Sequence, residues 1–218
     1  PPLFSGHLTT TTTPPLLVDT DASFPRRENR RQRDGECITS PRLTTHGPLG
    51  AVVYDPVDNT VRYAAADPPW AILLSSWNAD SKTYSAELET LAAVAVYSTY
   101  PELFAGRKVN HFVDNTVALS ALIHGYSNKK DLAKPVNIFH LQTVALRTSV
   151  YFEYVPSKAN IADLPSRRRF VELERVLAGV PRRGRAPDLL ATPSAEAWDA
   201  DLKSWVTNPR TWHANMPL

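Results

Sequence analysis

The run Pro156-Ser157-Lys158-Ala159-Asn160-Ile161-Ala162-Asp163-Leu164-Pro165-Ser166-Arg167 sets the frame for the whole chain. Just before it, Val150 to Val155 is an apolar, aromatic stretch that reads as a strand. Pro156-Ser157-Lys158 reads as a turn, and from Asn160 to about Leu177 the pattern is helical. The run therefore places an acid, Asp163, near the start of a helix that directly follows a strand. The helix dipole favours an acid there. Helix starts and strand ends on one side of an α/β sheet also open onto a common crevice, where chemistry collects.

Upstream, the same alternation recurs. Leu16-Leu17-Val18 runs into Asp19-Thr20-Asp21-Ala22-Ser23, a short buried strand ending in acids. Gly50 to Tyr54 and Thr60 to Ala65 are strands joined by a turn at Asp55 to Asn59, which makes a hairpin. Ser85 to Tyr100 is a helix with Leu88, Leu91, Ala92 and Ala95 at spacings of three and four, ended by Pro101. Val109 to Val113 is a fourth strand closing on Asp114-Asn115. A short helix from Thr116 to His124 stops at Gly125. The next, which Asp131 can cap, runs to about Arg147 with Val136, Phe139 and Val144 inward. The order is three strands, helix, strand, helices, strand, helix: an α/β domain with a mixed sheet.

The chain has 218 residues, 43% of them hydrophobic and 9% aromatic, which excludes whole-chain disorder and suits one domain with extensions. One cysteine, Cys37, excludes a disulfide framework and a Cys-based zinc site. No apolar run approaches the ~20 residues of a membrane span, and no N-terminal signal is visible. The chain begins with Pro1, so it is expected to be a processed product or a piece of something longer. Residues 1–15, with Thr9 to Thr13 unbroken, read as an arm. Residues 24–48 read as a long Arg-rich insertion. Residues 171–218, with Trp198, Trp205 and Trp212, read as an extension packed on the domain or on a partner. The net charge is only +2, but the 17 arginines cluster. Arg26, Arg27, Arg30, Arg31 and Arg33 form one block; Arg167 to Arg169 with Arg182, Arg183 and Arg185 form a second. Such blocks are either solvated loops or phosphate contacts, and two of them favour nucleic acid.

Four acids stand at equivalent places: Asp21 ending the first strand, Glu89 one turn into the long helix, Asp114 ending the fourth strand, and Asp163. Carboxylates gathered at one crevice repel unless cations hold them, and hard oxygen ligands suit Mg²⁺ or Mn²⁺. Two such ions can clamp a phosphodiester. Asp19 competes with Asp21, being two residues away on the same strand face. Glu87 competes with Glu89, but a two-residue shift on a helix turns the side chain by about 200°.

With its local words, this order resembles the ribonuclease H family, most closely the domains that follow the reverse transcriptase in retrotransposons, particularly those of protists. The matching words are Thr20-Asp21-Ala22-Ser23, Glu89-Thr90-Leu91-Ala92-Ala93, Phe112-Val113-Asp114-Asn115 and the 156–167 run, whose Asn–x–Ala–Asp–x–x–Ser–Arg pattern is the most specific. The resemblance covers about residues 16–170. It implies a five-stranded mixed sheet flanked by helices, two metal ions held by Asp21, Glu89, Asp114 and Asp163, and endonucleolytic cutting of RNA in an RNA–DNA hybrid. It favours Asp21, which directly precedes the small residue and Ser, and Glu89, which Ala92-Ala93 follow. It places Ser23 and Asn115 near the nucleic acid; Lys158, Arg167 and the 26–33 arginines are further candidates for holding its backbones. The family's His-bearing loop before the last acid is missing; that place reads Val155-Pro156-Ser157-Lys158.

Two readings follow. One is a Mg²⁺-dependent ribonuclease H, intracellular in cytoplasm or nucleus. The other is a domesticated, non-catalytic module of the same fold, binding structured RNA and neighbouring proteins in a large ribonucleoprotein such as a mitochondrial ribosome. An integrase-like or resolvase nuclease is a weaker third, opposed by the Asn160-to-Arg167 word. His111, His124 and His140 are scattered and read as core or surface residues. No phosphate-binding glycine loop is present.

Overall fold

The computed structural model describes residues 13–23, 48–70, 73, 77, 84–184 and 187–192. Strands β1 (Leu16–Ala22), β2 (Leu49–Asp55) and β3 (Thr60–Ala66) form an antiparallel meander. On the other side of β1, β4 (Lys108–Val113) and β5 (Ser149–Tyr154) add in parallel. Five strands are expected from the sequence, and among the described residues the sheet has six: β6 (Asp188–Leu189) pairs in parallel with β3, giving the order β5-β4-β1-β2-β3-β6. A two-residue strand among prolines, glycines and arginines offers no alternation to read.

Helix α1 (Ser85–Thr99) is buried from Ala86 through Ser98 on every side. Its Leu-Ala-Ala-Val-Ala-Val run has no polar stripe, so it lies inside the protein, against β1 and helix α4 (Lys130–Leu146). The hydroxyls of Thr90, Ser98 and Thr99 bond back to carbonyls four residues earlier, which lets polar groups sit at this depth. Short α2 (Pro101–Phe104) follows, and α3 (Thr116–His124) ends on Gly125 in the left-handed conformation. On α4, Leu132, Val136, Phe139 and Thr143 point inward, while Val144, expected inside, is 70% exposed. Thr143 takes the inward place, so its neighbour is turned out by about 100°. Asp131 sits in the first turn of α4 rather than capping it; Lys129 is the N-cap.

The opposite face of the sheet carries a smaller core of Val52, Val61, Tyr63 and Leu173, joined by Ile161, Leu164 and Phe170. The single helix expected over 160–177 is two: α5 (Asp163–Ser166) and α6 (Phe170–Val176), broken at Arg168, whose φ is 57°. The break lets α5 lie on β2 while α6 sends Leu173 into this core. Gly50 permits the first contact. A Cβ there would stand 2.3 Å from the Ser166 amide nitrogen and 2.8 Å from the Ala162 carbonyl oxygen.

The segment after α6 is bound to the sheet before β6 begins. Val61 donates its amide to Pro181 O at 2.9 Å, and Arg183 donates to Val61 O at 2.9 Å. Beyond β6, Ala191 donates its amide to Thr99 Oγ1, and Leu190 and Ala191 are buried. Among the described residues, no helix is long and apolar enough to cross a membrane.

Candidate functional site

Strands β1 and β4 are neighbours and parallel, so their C-terminal ends reach the same end of the sheet. Asp21 lies in the last turn of the β1 pleat and Asp114 directly follows β4. Helix α1, packed on β1, brings Glu89 to the same place. One carboxylate oxygen from each of Asp21, Glu89 and Asp114 lies within 4.8 Å of the others. Asp21 and Glu89 are 5% and 4% exposed. Glu89 Oε2 and Asp114 Oδ1 are buried and accept no hydrogen bond. Orphaned oxygens of this kind are costly in a low-dielectric setting, and a hard divalent cation would satisfy them. The donor set fits Mg²⁺ or Mn²⁺.

The electrostatics agree. Burial pushes Glu89 up to about 10, and the Asp21 and Asp114 carboxylates beside it act in the same direction. Burial also raises Asp21 to about 6; Asp114 and Asp163 reinforce this, against the Ser166 hydrogen bond and Arg167. The rivals lie outside the group. Asp19 is partly buried and raised to about 7 by burial. Glu87 is raised by burial too, but the charges that act on it are Lys129 and Asp131, at the start of α4.

Asp163 does not join the three. Its Oδ1 accepts from Arg167 Nε at 2.6 Å, one helical turn on. The residue of that run that does reach the cluster is Ser166, fully buried, whose hydroxyl donates to Asp21 Oδ2. Ser23 donates to Ser166 O at 3.0 Å, and Asn160 donates to Thr20 O at 3.0 Å while accepting from Ala162 N. The 156–167 run is thus stitched to β1 on both sides of Asp21. Sequence reasoning passed over Ser166 and Gly50 as site residues. Both carried a signal: a serine inside the most specific word, and a glycine within a strand, which often marks close backbone approach.

Asn115 is engaged in structure. Its Oδ1 accepts from the amides of Val117 and Ala118, capping α3, and its Nδ2 donates to Ser85 Oγ at the start of α1. Lys158 and Arg167 are exposed. Arg26, Arg27, Arg30, Arg31, Arg33 and Cys37 lie outside the described residues. In the second basic block, Arg168 pairs with Asp67 and Arg169 with Glu172, while Arg182 pairs with Glu174 and Arg183 with Asp58. His111 is fully buried between Thr20 Oγ1 and the rings of Tyr97, Phe139 and Phe152, and burial lowers it to about 3. His124 is exposed, and His140 bonds to Leu122 O.

No protein-family model and no curated protein matches the chain. Among solved structures it is similar to the N-terminal RNase H domain of a Mycobacterium tuberculosis protein fused to maltose binding protein. The identity is 16% and the TM-score 0.44, over 75% of this chain and 98% of that one. It is also similar to RNase H1 from the halophilic archaeon Halobacterium salinarum NRC-1, at 10% identity and TM-score 0.43, over 73% and 99%.

Proposed function

We propose that this protein is a metal-dependent endonuclease of the ribonuclease H type, cutting RNA in RNA–DNA hybrids, and that it derives from a retroelement. The observation that carries the reading is the convergence of Asp21, Glu89 and Asp114 from three separate elements, with two of their buried oxygens unpartnered. These acids, with Asp163 beside them, would hold Mg²⁺ or Mn²⁺. Bound there, such ions supply Lewis acidity at a phosphodiester and make water a nucleophile at neutral pH. The chain's own part is to hold the carboxylates rigidly at the mouth of the β1–β4 crevice. Ser23, Lys158, Arg167 and the 26–33 arginines would steady the nucleic-acid backbones, a role that needs no base reading.

A labelled RNA–DNA hybrid with Mg²⁺ tests this. The full chain should cut the RNA strand, and Asp114→Asn should lower the rate by at least about a hundredfold, as loss of a group that stabilises transition-state charge does. A full chain that leaves the hybrid intact with both Mg²⁺ and Mn²⁺ refutes the reading.

One observation favours the second reading, a non-catalytic RNA- and protein-binding component of a ribonucleoprotein. Asp163 is spent on Arg167 instead of joining the other acids. Under that reading the chain binds structured RNA without cutting, and Asp163→Asn leaves RNA binding unchanged. The retroelement reading places the protein in cytoplasm or nucleus, and the ribosomal one in a mitochondrion.

A further inference from the structure

The Asn160-to-Arg167 run contributes to the acidic cluster, but through a residue with no charge. Ser166 is completely buried, and its hydroxyl meets Asp21 Oδ2. Nothing in ordinary folding requires a helix to come this close to a strand. Gly50, the register partner of Asp21 on β2, leaves out its side chain so that the backbone of Ala162 and Ser166 can lie on the sheet. Ser23 Oγ then holds the Ser166 carbonyl, and Asn160 holds Thr20 O, the carbonyl just before Asp21. Four side-chain choices, Gly50, Ser23, Asn160 and Ser166, thus serve one contact.

A carboxylate at a strand end rotates about its Cβ–Cγ bond, and a cation held by three acids needs each in one orientation. We propose that Ser166 is a positioning residue for the acidic cluster: its hydroxyl takes one oxygen of Asp21 and fixes the carboxylate plane, so that the residue presents its other oxygen toward Glu89 and Asp114. The proposal rests on the reading of Asp21, Glu89 and Asp114 as a divalent-cation site. It gives the serine of the 156–167 run a task separate from that of Asp163.

The test is direct binding of Mn²⁺ to the metal-free full chain, followed by the electron paramagnetic resonance of the free ion. Ser166→Cys keeps the branching with a somewhat larger atom and weakens the donor. It should lower Mn²⁺ affinity about tenfold, the usual effect of losing a hydrogen bond to a metal ligand. Ser166→Thr keeps the hydroxyl and should retain affinity within about threefold of the unaltered chain on the same grounds. Thermal melts of the metal-free variants show whether the fold is intact, and Ser166→Cys should melt close to the unaltered chain. If Ser166→Cys binds Mn²⁺ as well as the unaltered chain does, while Asp21→Asn binds none, the positioning role is overturned and the three-acid site stands. If affinity falls only in step with melting temperature, and Ser166→Thr fails to keep it, Ser166 is packing alone and the proposal is overturned. If the unaltered chain binds no Mn²⁺, the proposed function falls, and this inference with it.

Discussion

Asp21 is ionised at neutral pH only against resistance, because burial raises it to about 6 and two further carboxylates surround it. An acid raised on folding makes the folded state bind protons more tightly than the unfolded chain, so its ionisation costs stability as pH climbs from about 4 towards 6. Asp21→Asn removes that cost, and the Asn oxygen can still accept from Ser166. In chelator at pH 7, the variant should melt several degrees higher, because the rise from 3.8 to about 6 corresponds to roughly 3 kcal/mol. Added Mg²⁺ should raise the melting temperature of the unaltered chain and not that of the variant. His111 has the opposite sign. Lowered to about 3 by burial, it is neutral in the folded protein and charges at about 6.5 when unfolded. Its contribution is therefore full above about 6.5 and is lost as pH falls toward 3, with a slope approaching ~1.4 kcal/mol per pH unit. His111→Gln keeps a polar partner for Thr20 without titrating. Urea midpoints between pH 3 and 7 should fall less steeply for it than for the unaltered chain.

At the scale of elements, two contacts fix the geometry of the site. A methyl at position 50 would strike main-chain atoms of Ser166 and Ala162, which cannot swing aside. Gly50→Ala should cost about 1–3 kcal/mol, the range for overpacking, seen as a lower urea midpoint at unchanged slope. Asn115→Ala should cost about 1 kcal/mol for the lost α3 cap, with the Ser85 tie lost as well. Its hydrogen exchange should quicken first in α3. The elements also show what the sequence could convey. Strands β1 to β5 and α1 were legible because apolar periodicity and length are strong there. The helix period separates Glu89 from Glu87, whereas Asp19 and Asp21 share a strand face, so only the local word Asp21-Ala22-Ser23 favours Asp21. The break at Arg168 was not legible. A left-handed arginine has no sequence signature, and it is imposed by two packing surfaces on β2 and β3. Val144 was misplaced by a single residue on the helix, because Thr143 gave no apolar signal for the inward position.

For the whole molecule, the question is where the domain ends. Similarity of motifs stops near residue 170, yet Leu173 fills the second core, Pro181 and Arg183 bond to Val61, and Asp188–Leu189 pairs with β3. We expect a chain ending at 170 to expose Val61, Tyr63 and Val52 and to fail to unfold cooperatively, whereas one ending at 192 should melt as a single transition; differential scanning calorimetry of the two separates these outcomes. This region was illegible because its partners are distant in sequence. The block holding arginines 168, 169, 182 and 183 reads as either solvated loop or phosphate contact, and each of these four meets an acid. These pairs are exposed and screened by solvent, so their main effect is to offset a block that looks strongly cationic on paper.

The central place of β1 has a consequence in time. Its first residues are made early, but Thr20 meets His111 across 91 positions and Asp21 meets Ser166 across 145. At ~5–20 residues per second, synthesis leaves Asp21 waiting roughly 7–30 s for that serine. Pairings this distant also slow folding after release. The contact between Asp21 and Ser166 therefore forms only after nearly all of the domain exists.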